Sequence, residues 1–126
     1  MSRQIEICIV DDEQIVCERL RPMLEKNGFA VETFTDGASA KARLGEKQFD
    51  ILITDLKMAK PDGLELLGYA RHQYPEIRVV VITGFATVET AREALKGGAA
   101  DFIAKPFRIS HLRELMLQIA KEIQTD

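Results

Sequence analysis

The chain has 126 residues, of which 46% are hydrophobic and 29% are charged, and its formal net charge is −3. This length fits one domain spanning residues 1–126, and the composition excludes a disordered chain. A mildly acidic domain lacks the positive charge that binds nucleic acid directly, and no apolar run reaches the roughly 18 residues of a membrane span.

The N-terminal ten residues enter a strand-like run without the apolar core or small-residue cleavage site of a signal peptide. The two cysteines lie in different surroundings, Cys8 in an apolar strand-like run and Cys17 in a helical stretch. Both are expected to be reduced packing residues. We therefore expect a cytoplasmic protein.

Five strand-like runs alternate with five helix-like segments along the chain. The strand-like runs are apolar or alternate apolar with polar residues, over 5–10, 31–35, 49–54, 78–82 and 102–104. The helix-like segments are predicted over 13–27, 38–44, 64–74, 87–96 and 112–123. Turn and cap residues separate the segments: Gly28 ends the first helix, Asp36-Gly37 precedes the second, and Ser110 is predicted to cap the last.

Alternating strands and helices of this length predict an α/β fold, an open parallel sheet with helices on both faces. The first, third and fourth strands are almost continuously apolar, as central strands are. The second strand alternates and the fifth is short, so both are predicted at the edges. The strand order that satisfies this is 2-1-3-4-5, the flavodoxin-like (βα)5 winding in three layers.

Polar residues follow four of these strands. Because parallel strands end at one sheet edge, and ligands bind at the switch point between the first and third strands, these residues are expected to converge there. They are Asp11 and Asp12 after the first strand, Asp55 after the third, Thr83 after the fourth and Lys105 after the fifth.

Three close carboxylates raise one another's pKa unless a cation binds, and oxygen ligands with few carboxylates favour Mg²⁺. With Lys105 beside it, such a site suits an anion with several oxygens, and a phosphoryl group is the obvious candidate. A central carboxylate can itself be the nucleophile, which gives an acyl phosphate.

Five sequence segments together resemble the receiver domain of bacterial two-component response regulators. They are Asp11-Asp12, the 55–58 segment with Asp62-Gly63 behind it, Thr83-Gly84, and the 101–107 segment containing Lys105-Pro106. The resemblance covers essentially the whole chain, and residues 83–107 most resemble receivers of enhancer-binding transcription regulators.

The resemblance implies that Asp55 accepts a phosphoryl group from the phosphohistidine of a sensor histidine kinase or a phosphotransfer protein. It implies that Asp12 ligates Mg²⁺ directly and Asp11 mainly through water, with Asp55 and the backbone carbonyl of Lys57 completing the protein ligands. Lys105 would pair with a phosphoryl oxygen, and the Lys105–Pro106 peptide would be cis. The protein would not be an enzyme beyond promoting its own phosphotransfer and slow autodephosphorylation.

The resemblance also assigns a switch. The Thr83 hydroxyl would donate to the phosphoryl group, and Phe102, at the place of the family's rotameric aromatic residue, would turn inward. That movement would alter the face made by the fourth helix, fifth strand and fifth helix, which is a possible homodimer surface. An output domain or partner would lie outside this chain. The family loop often has proline where this chain has Ala59, and Pro61 follows instead.

Two residues beside the path of attacking water are expected to set the lifetime of the acyl phosphate. They are Lys57, two residues after Asp55, and Phe85, two residues after Thr83. A phenyl ring orients no water and excludes one, whereas the alternative for Phe85 is packing on the fourth helix. Lys57 either blocks the path or is simply solvated.

Three other functions remain to be weighed. A nucleotide or flavin binder needs a phosphate-cradling loop after the first strand, where this chain has Asp11-Asp12-Glu13. An aspartyl phosphatase needs additional residues for a cap over its substrate. A degenerate receiver would bind partners without phosphorylation, and it is the main alternative to a phosphoacceptor.

Overall fold

The computed structural model describes residues 3–124, which form an α/β domain of three layers. Its strands are β1 (Glu6–Val10), β2 (Ala30–Phe34), β3 (Ile51–Asp55), β4 (Arg78–Thr83) and β5 (Asp101–Ala104). Its helices are α1 (Gln14–Lys26), α2 (Gly37–Glu46), α3 (Gly63–Gln73), α4 (Val88–Lys96) and α5 (Ile109–Gln124). Each predicted element is present, with ends that differ by at most three residues from the predicted bounds.

The five strands pair in parallel in the order β2-β1-β3-β4-β5, so the predicted flavodoxin-like winding is confirmed. The register aligns the strand ends: Val10 of β1 lies opposite Thr54 of β3, and Asp55 lies opposite Ile82 of β4. β3 is buried throughout, and β1 and β4 are buried except for their first residues. The carboxyl ends of the three central strands therefore meet at one edge.

Alternate residues of the central strands face two separate cores. Ile7 and Ile9 of β1 point into a core closed by α1 and α5, whereas Cys8 and Val10 point into a core closed by α2, α3 and α4. Fully burying one aliphatic side chain is worth about 1.5–3 kcal/mol, so these two cores hold the sheet between its helices. The thiols of Cys8 and Cys17 are free and buried, as expected.

Side-chain caps begin three of the helices. Asp36 accepts from the Ser39 N–H at the start of α2, Asp62 accepts from the Glu65 N–H at α3, and Thr87 exchanges hydrogen bonds with Thr90 at α4. Each cap satisfies amide groups that the first helical turn leaves free. The turn and cap predicted at Asp36-Gly37 is confirmed.

The predicted cap of α5 is wrong. Ser110 lies inside the helix, which begins at Ile109, and the Arg108 carbonyl accepts the amide hydrogens of His111 and Leu112. Ile109 packs against the core beneath α1 and α5. Partial burial of Ile109 therefore favours a helix that begins ahead of the serine.

The prolines lie in two kinds of structure. Helix α1 continues through Pro22, and the Lys105–Pro106 peptide is cis, as predicted, as is the Lys60–Pro61 peptide. Gly37 lies so close to the loop before α3 that an added Cβ would overlap the carbonyl oxygen of Pro61.

None of the helices within residues 3–124 is both long enough and apolar enough to cross a membrane.

Candidate functional site

Three aspartates meet at the carboxyl edge of the sheet. Asp11 and Asp12 directly follow β1, and Asp55 is the last residue of β3. One carboxylate oxygen from each lies within 4.8 Å of the others. Asp11 and Asp55 are buried, whereas Asp12 is exposed. The predicted convergence of these side chains is present in the structure.

Backbone contacts fix the position of Asp55. The Leu56 N–H donates to the Ile82 carbonyl at 3.1 Å, and the Gly63 N–H donates to the Leu56 carbonyl at 3.1 Å. A Cβ on Gly63 would overlap the carbonyl oxygen of Asp55 and lie 2.7 Å from Leu56 Cα. The start of α3 therefore packs directly on the backbone of Asp55, and only glycine fits at this contact.

Lys105 extends into the cluster from the end of β5. Its Nζ atom lies 2.8 Å from Asp11 Oδ2, 2.8 Å from Glu13 Oε1 and 3.4 Å from Asp55 Oδ2. Its backbone N–H donates to the Thr83 carbonyl at 2.8 Å, which ties the lysine to the end of β4. The ammonium therefore lies beside Asp11 and Asp55, as the order of the strands predicted, and it also contacts Glu13.

The buried carboxylate of Asp11 is incompletely bonded. Its Oδ1 accepts the Glu13 N–H at 2.8 Å, but within residues 3–124 its Oδ2 receives no hydrogen bond of good geometry. The Lys105 ammonium, 2.8 Å away, is the ion-pair partner of this oxygen. A buried carboxylate oxygen with this one charged neighbour, beside the carboxylates of Asp12 and Asp55, fits a hard divalent cation such as Mg²⁺.

The charges at the site perturb one another. Burial, followed by the charge of Asp11, raises the pKa of Asp55, and burial also raises the pKa of Asp11. Burial opposes the charge of Lys105, but the close contacts of its ammonium with the Asp11 and Glu13 carboxylates outweigh this effect and raise the pKa of Lys105. The lysine is therefore charged at neutral pH, and ionised aspartates are costly unless a cation compensates them.

Glu13 was not predicted as a site residue. Its Oε1 contacts Lys105, and this hydrogen bond lowers the pKa of the Glu13 carboxyl. Its place directly after Asp11-Asp12 was the available signal. An exposed side chain can choose among several partners, so the sequence alone did not select Lys105.

Thr83 lies at the end of β4 with its side chain buried. Its Oγ1 accepts the Phe85 N–H at 3.0 Å, and the Phe85 carbonyl in turn accepts from Thr90 Oγ1 at 3.0 Å. The Thr83 hydroxyl is thereby connected through the backbone of Phe85 to the first turn of α4.

The remaining predicted site residues lie around this centre. Phe102 is half-buried and packs against the core closed by α2, α3 and α4. Lys57 is exposed, and the Phe85 side chain is 63% exposed.

The chain matches one family model and is similar in sequence to several known proteins. The family model of the response regulator receiver domain matches residues 7–117. The chain is 36% identical over 123 residues to the alginate biosynthesis transcriptional regulatory protein AlgB of Pseudomonas putida, covering 98% of this chain and 27% of that protein. It is 37% identical over 113 residues to the transcriptional regulatory protein ZraR of Salmonella typhimurium, with coverage of 90% and 26%. The chain thus spans about a quarter of the length of these relatives.

Solved structures of response regulators have the same fold as this chain. A CheY-like response regulator receiver domain protein from Methanospirillum hungatei matches with a TM-score of 0.92 at 27% identity, covering 98% of both chains. A response regulator from Burkholderia pseudomallei, crystallised with a phosphorylated aspartic acid, calcium ion and citrate, matches with a TM-score of 0.83 at 28% identity. That match covers 97% of this chain and 72% of the other.

Proposed function

Because the chain belongs to the response regulator receiver domain family, we propose that Asp55 accepts a phosphoryl group from a phosphohistidine. The donor is a sensor histidine kinase or a phosphotransfer protein. The observation that carries this assignment is the buried Asp55 carboxylate, 3.4 Å from the Lys105 ammonium and grouped with Asp11 and Asp12. The phosphorylated aspartate of the Burkholderia pseudomallei protein supports the same chemistry.

The transfer is a displacement at phosphorus. A carboxylate oxygen of Asp55 attacks the phosphorus atom, the phosphorus–nitrogen bond breaks, and the donor imidazole leaves with the electron pair. The product is an acyl phosphate on Asp55. Lys105 stabilises a phosphoryl oxygen by its charge, and the Thr83 hydroxyl donates a hydrogen bond to another.

Mg²⁺ fits the site because its ligands are oxygens and because, among the described residues, the buried Asp11 Oδ2 has an ion pair with Lys105 but no hydrogen bond of good geometry. The carboxylates of Asp11, Asp12 and Asp55 and the backbone carbonyl of Lys57 would hold the ion. When bound, it neutralises charge on the transferring phosphoryl group. The raised pKa values of Asp11 and Asp55 support a requirement for such a cation.

A groove beside the site is suited to the donor protein. It has a volume of about 400 Å³ and mainly apolar walls from α1 and the segment after β5, and Glu13 and Lys105 lie along it. Ile15, on α1, is 51% exposed there. A donor surface seated on this groove would present its phosphohistidine near Lys105 and Asp55, because Lys105 lines the groove and also contacts Asp55.

The face made by α4, β5 and α5 is the output surface in this proposal. Phe102 of β5 lies on it, and Val88 and Leu95 of α4 are 76% and 53% exposed. Phosphorylation favours one arrangement of Thr83 and Phe102 and thereby changes this face. A homodimer, an output domain or another partner would bind it.

Receiver domains of transcriptional regulators are generally not enzymes. In this proposal the chain promotes only its own phosphotransfer and a slow loss of the acyl phosphate to water. The chain therefore accepts and loses one phosphoryl group per phosphorylation cycle. The result of phosphorylation is a changed protein surface.

The test is phosphorylation by a small phosphodonor such as acetyl phosphate. With Mg²⁺, we expect the intact mass to increase by one phosphoryl group, and peptide mapping to locate it on Asp55. The gain should disappear in excess chelator and in Asp55→Asn, which keeps the shape but removes the nucleophilic carboxylate. A label on another residue, or phosphate release far beyond one equivalent, would contradict the proposal; absence of any label would favour a degenerate receiver.

A further inference from the structure

Glu13 contacts Lys105 at the solvent side of the site. Its Oε1 accepts a hydrogen bond from Lys105 Nζ at 2.8 Å, a shorter distance than the 3.4 Å from Nζ to Asp55 Oδ2. We propose that Glu13 is a positioning residue that holds Lys105 in the unphosphorylated state and competes for it with the phosphoryl group on Asp55. This inference rests on the proposed function of Asp55.

The backbone position of Glu13 sets where its side chain begins. Glu13 is the N-cap residue of α1, and among the residues that the structure describes its carboxylate makes no cap hydrogen bond. Glutamate is not one of the residues preferred at an N-cap, which are Ser, Thr, Asp and Asn. The contact with Lys105 is therefore the interaction that the structure shows for this carboxylate.

Exposure determines which contact of Lys105 can be released. The Asp11 carboxylate is fully buried and is held by the Glu13 N–H, so it stays in place. The Glu13 side chain is 59% exposed, and water can solvate its carboxylate after the contact breaks. When a phosphoryl group adds oxygens on Asp55, Lys105 can turn to them by leaving Glu13 and keeping Asp11.

The sign of the effect follows from this competition. The Glu13–Lys105 contact must break before Lys105 can bind the phosphoryl group, and this costs free energy. Glu13 therefore lowers the affinity of the site for the phosphoryl group. Partly exposed ion pairs contribute modestly, which corresponds to about two- to fivefold in affinity. Removing the contact should therefore tighten binding of a phosphoryl analogue.

The experiment measures the affinity of the Mg²⁺-saturated protein for beryllofluoride, an analogue of the phosphoryl group, by calorimetry or fluorine NMR. We expect Glu13→Gln to bind it about two- to fivefold more tightly than the wild type. The matched control is Glu25→Gln, which removes the same charge and an exposed ion pair with Arg21 on the same helix. That control should bind as the wild type does.

A second variant separates the contact from the charge. Glu13→Asp keeps the charge, but its shorter carboxylate favours the N-cap bond, so it should raise the melting temperature and still tighten analogue binding. Weaker or unchanged binding in Glu13→Gln, or wild-type binding in Glu13→Asp, overturns the inference. If the wild type itself binds no beryllofluoride with Mg²⁺, the proposed function fails instead.

Discussion

Lys105 Nζ lies 2.8 Å from Asp11 Oδ2, and its distance to Asp55 Oδ2 is 3.4 Å. The ammonium is thus closer to the more deeply buried carboxylate than to the proposed phosphoacceptor. Lys105 therefore compensates the charge of Asp55 less than that of Asp11. Burial and the charge of Asp11 both raise the pKa of Asp55. The charge on Asp55 is therefore a source of instability in the metal-free domain.

We expect Asp55→Asn to raise the stability of the metal-free protein at neutral pH. The amide keeps the shape and removes a buried charge, and the gain should be about 1 kcal/mol, the scale of a poorly compensated buried polar group. For a domain of this size that corresponds to a melting temperature about 3–5 °C higher. Thermal unfolding in excess chelator measures it, and a lower melting temperature would show that Asp55 is stabilising.

The same difference should depend on pH. The pKa of Asp55 is higher in the folded protein than in the unfolded chain. The ionised Asp55 therefore begins to destabilise the folded protein as pH rises from the unfolded-state pKa to the folded-state pKa. The stability difference between Asp55→Asn and the wild type should therefore shrink as pH falls towards the unfolded value. Measuring both proteins across this range cancels the carboxylates that do not interact with Asp55, and a difference that grows at low pH would contradict the prediction.

The lifetime of the acyl phosphate should depend on Phe85 and Lys57. Phe85, 63% exposed, follows Thr83 by two residues in the β4–α4 loop, and its ring is proposed to shield the approach of water. We expect Phe85→Ala and Lys57→Asn to speed hydrolysis, by up to about tenfold for a barrier change of about 1.4 kcal/mol. Loss of label from the purified phosphoprotein measures this rate. Unchanged rates in both variants would rule out shielding.

Thr90 should couple the site to α4. Its hydroxyl contacts the Phe85 carbonyl, and the Phe85 N–H contacts Thr83, so Thr90→Val breaks the route and also removes part of the α4 cap. We expect a loss of about 0.5–2 kcal/mol in stability, and smaller amide shifts in α4 when beryllofluoride binds. Thr90→Ser keeps the hydroxyl and should restore both properties. Full-sized α4 shifts in Thr90→Val would disprove the coupling.

Gly63 should be required for the geometry of Asp55. Its substitution by alanine places a Cβ against backbone atoms of Asp55 and Leu56, which cannot move aside as a flexible side chain can. We expect Gly63→Ala to cost about 1–3 kcal/mol in unfolding free energy and to slow phosphorylation. The control is Gly68→Ala in the same helix, where a Cβ meets nothing within 4 Å and should stabilise the helix. Similar behaviour of the two variants would refute the contact.

Much of the fold could be predicted because hydrophobicity differs between central and edge strands. The buried runs of β1, β3 and β4 set the strand order, and that order brings Asp11 and Asp55 to one edge. Glu13 and the start of α5 could not be predicted in the same way. Glu13 depends on the choice of a side-chain partner across the fold, and α5 begins where Ile109 finds its place in the core.

The close approach of Gly37 to Pro61 matters when loop segments are aligned or exchanged between related proteins. Because a Cβ at Gly37 would overlap the Pro61 carbonyl, the 57–62 loop and the start of α2 fit as a matched pair. A chimera that imports only this loop, with its proline at the family's usual place instead of Ala59, brings a different backbone against an unchanged helix. The transferable module is therefore the loop together with the first turn of α2, and sequence alignments of the loop alone will underestimate what must change together.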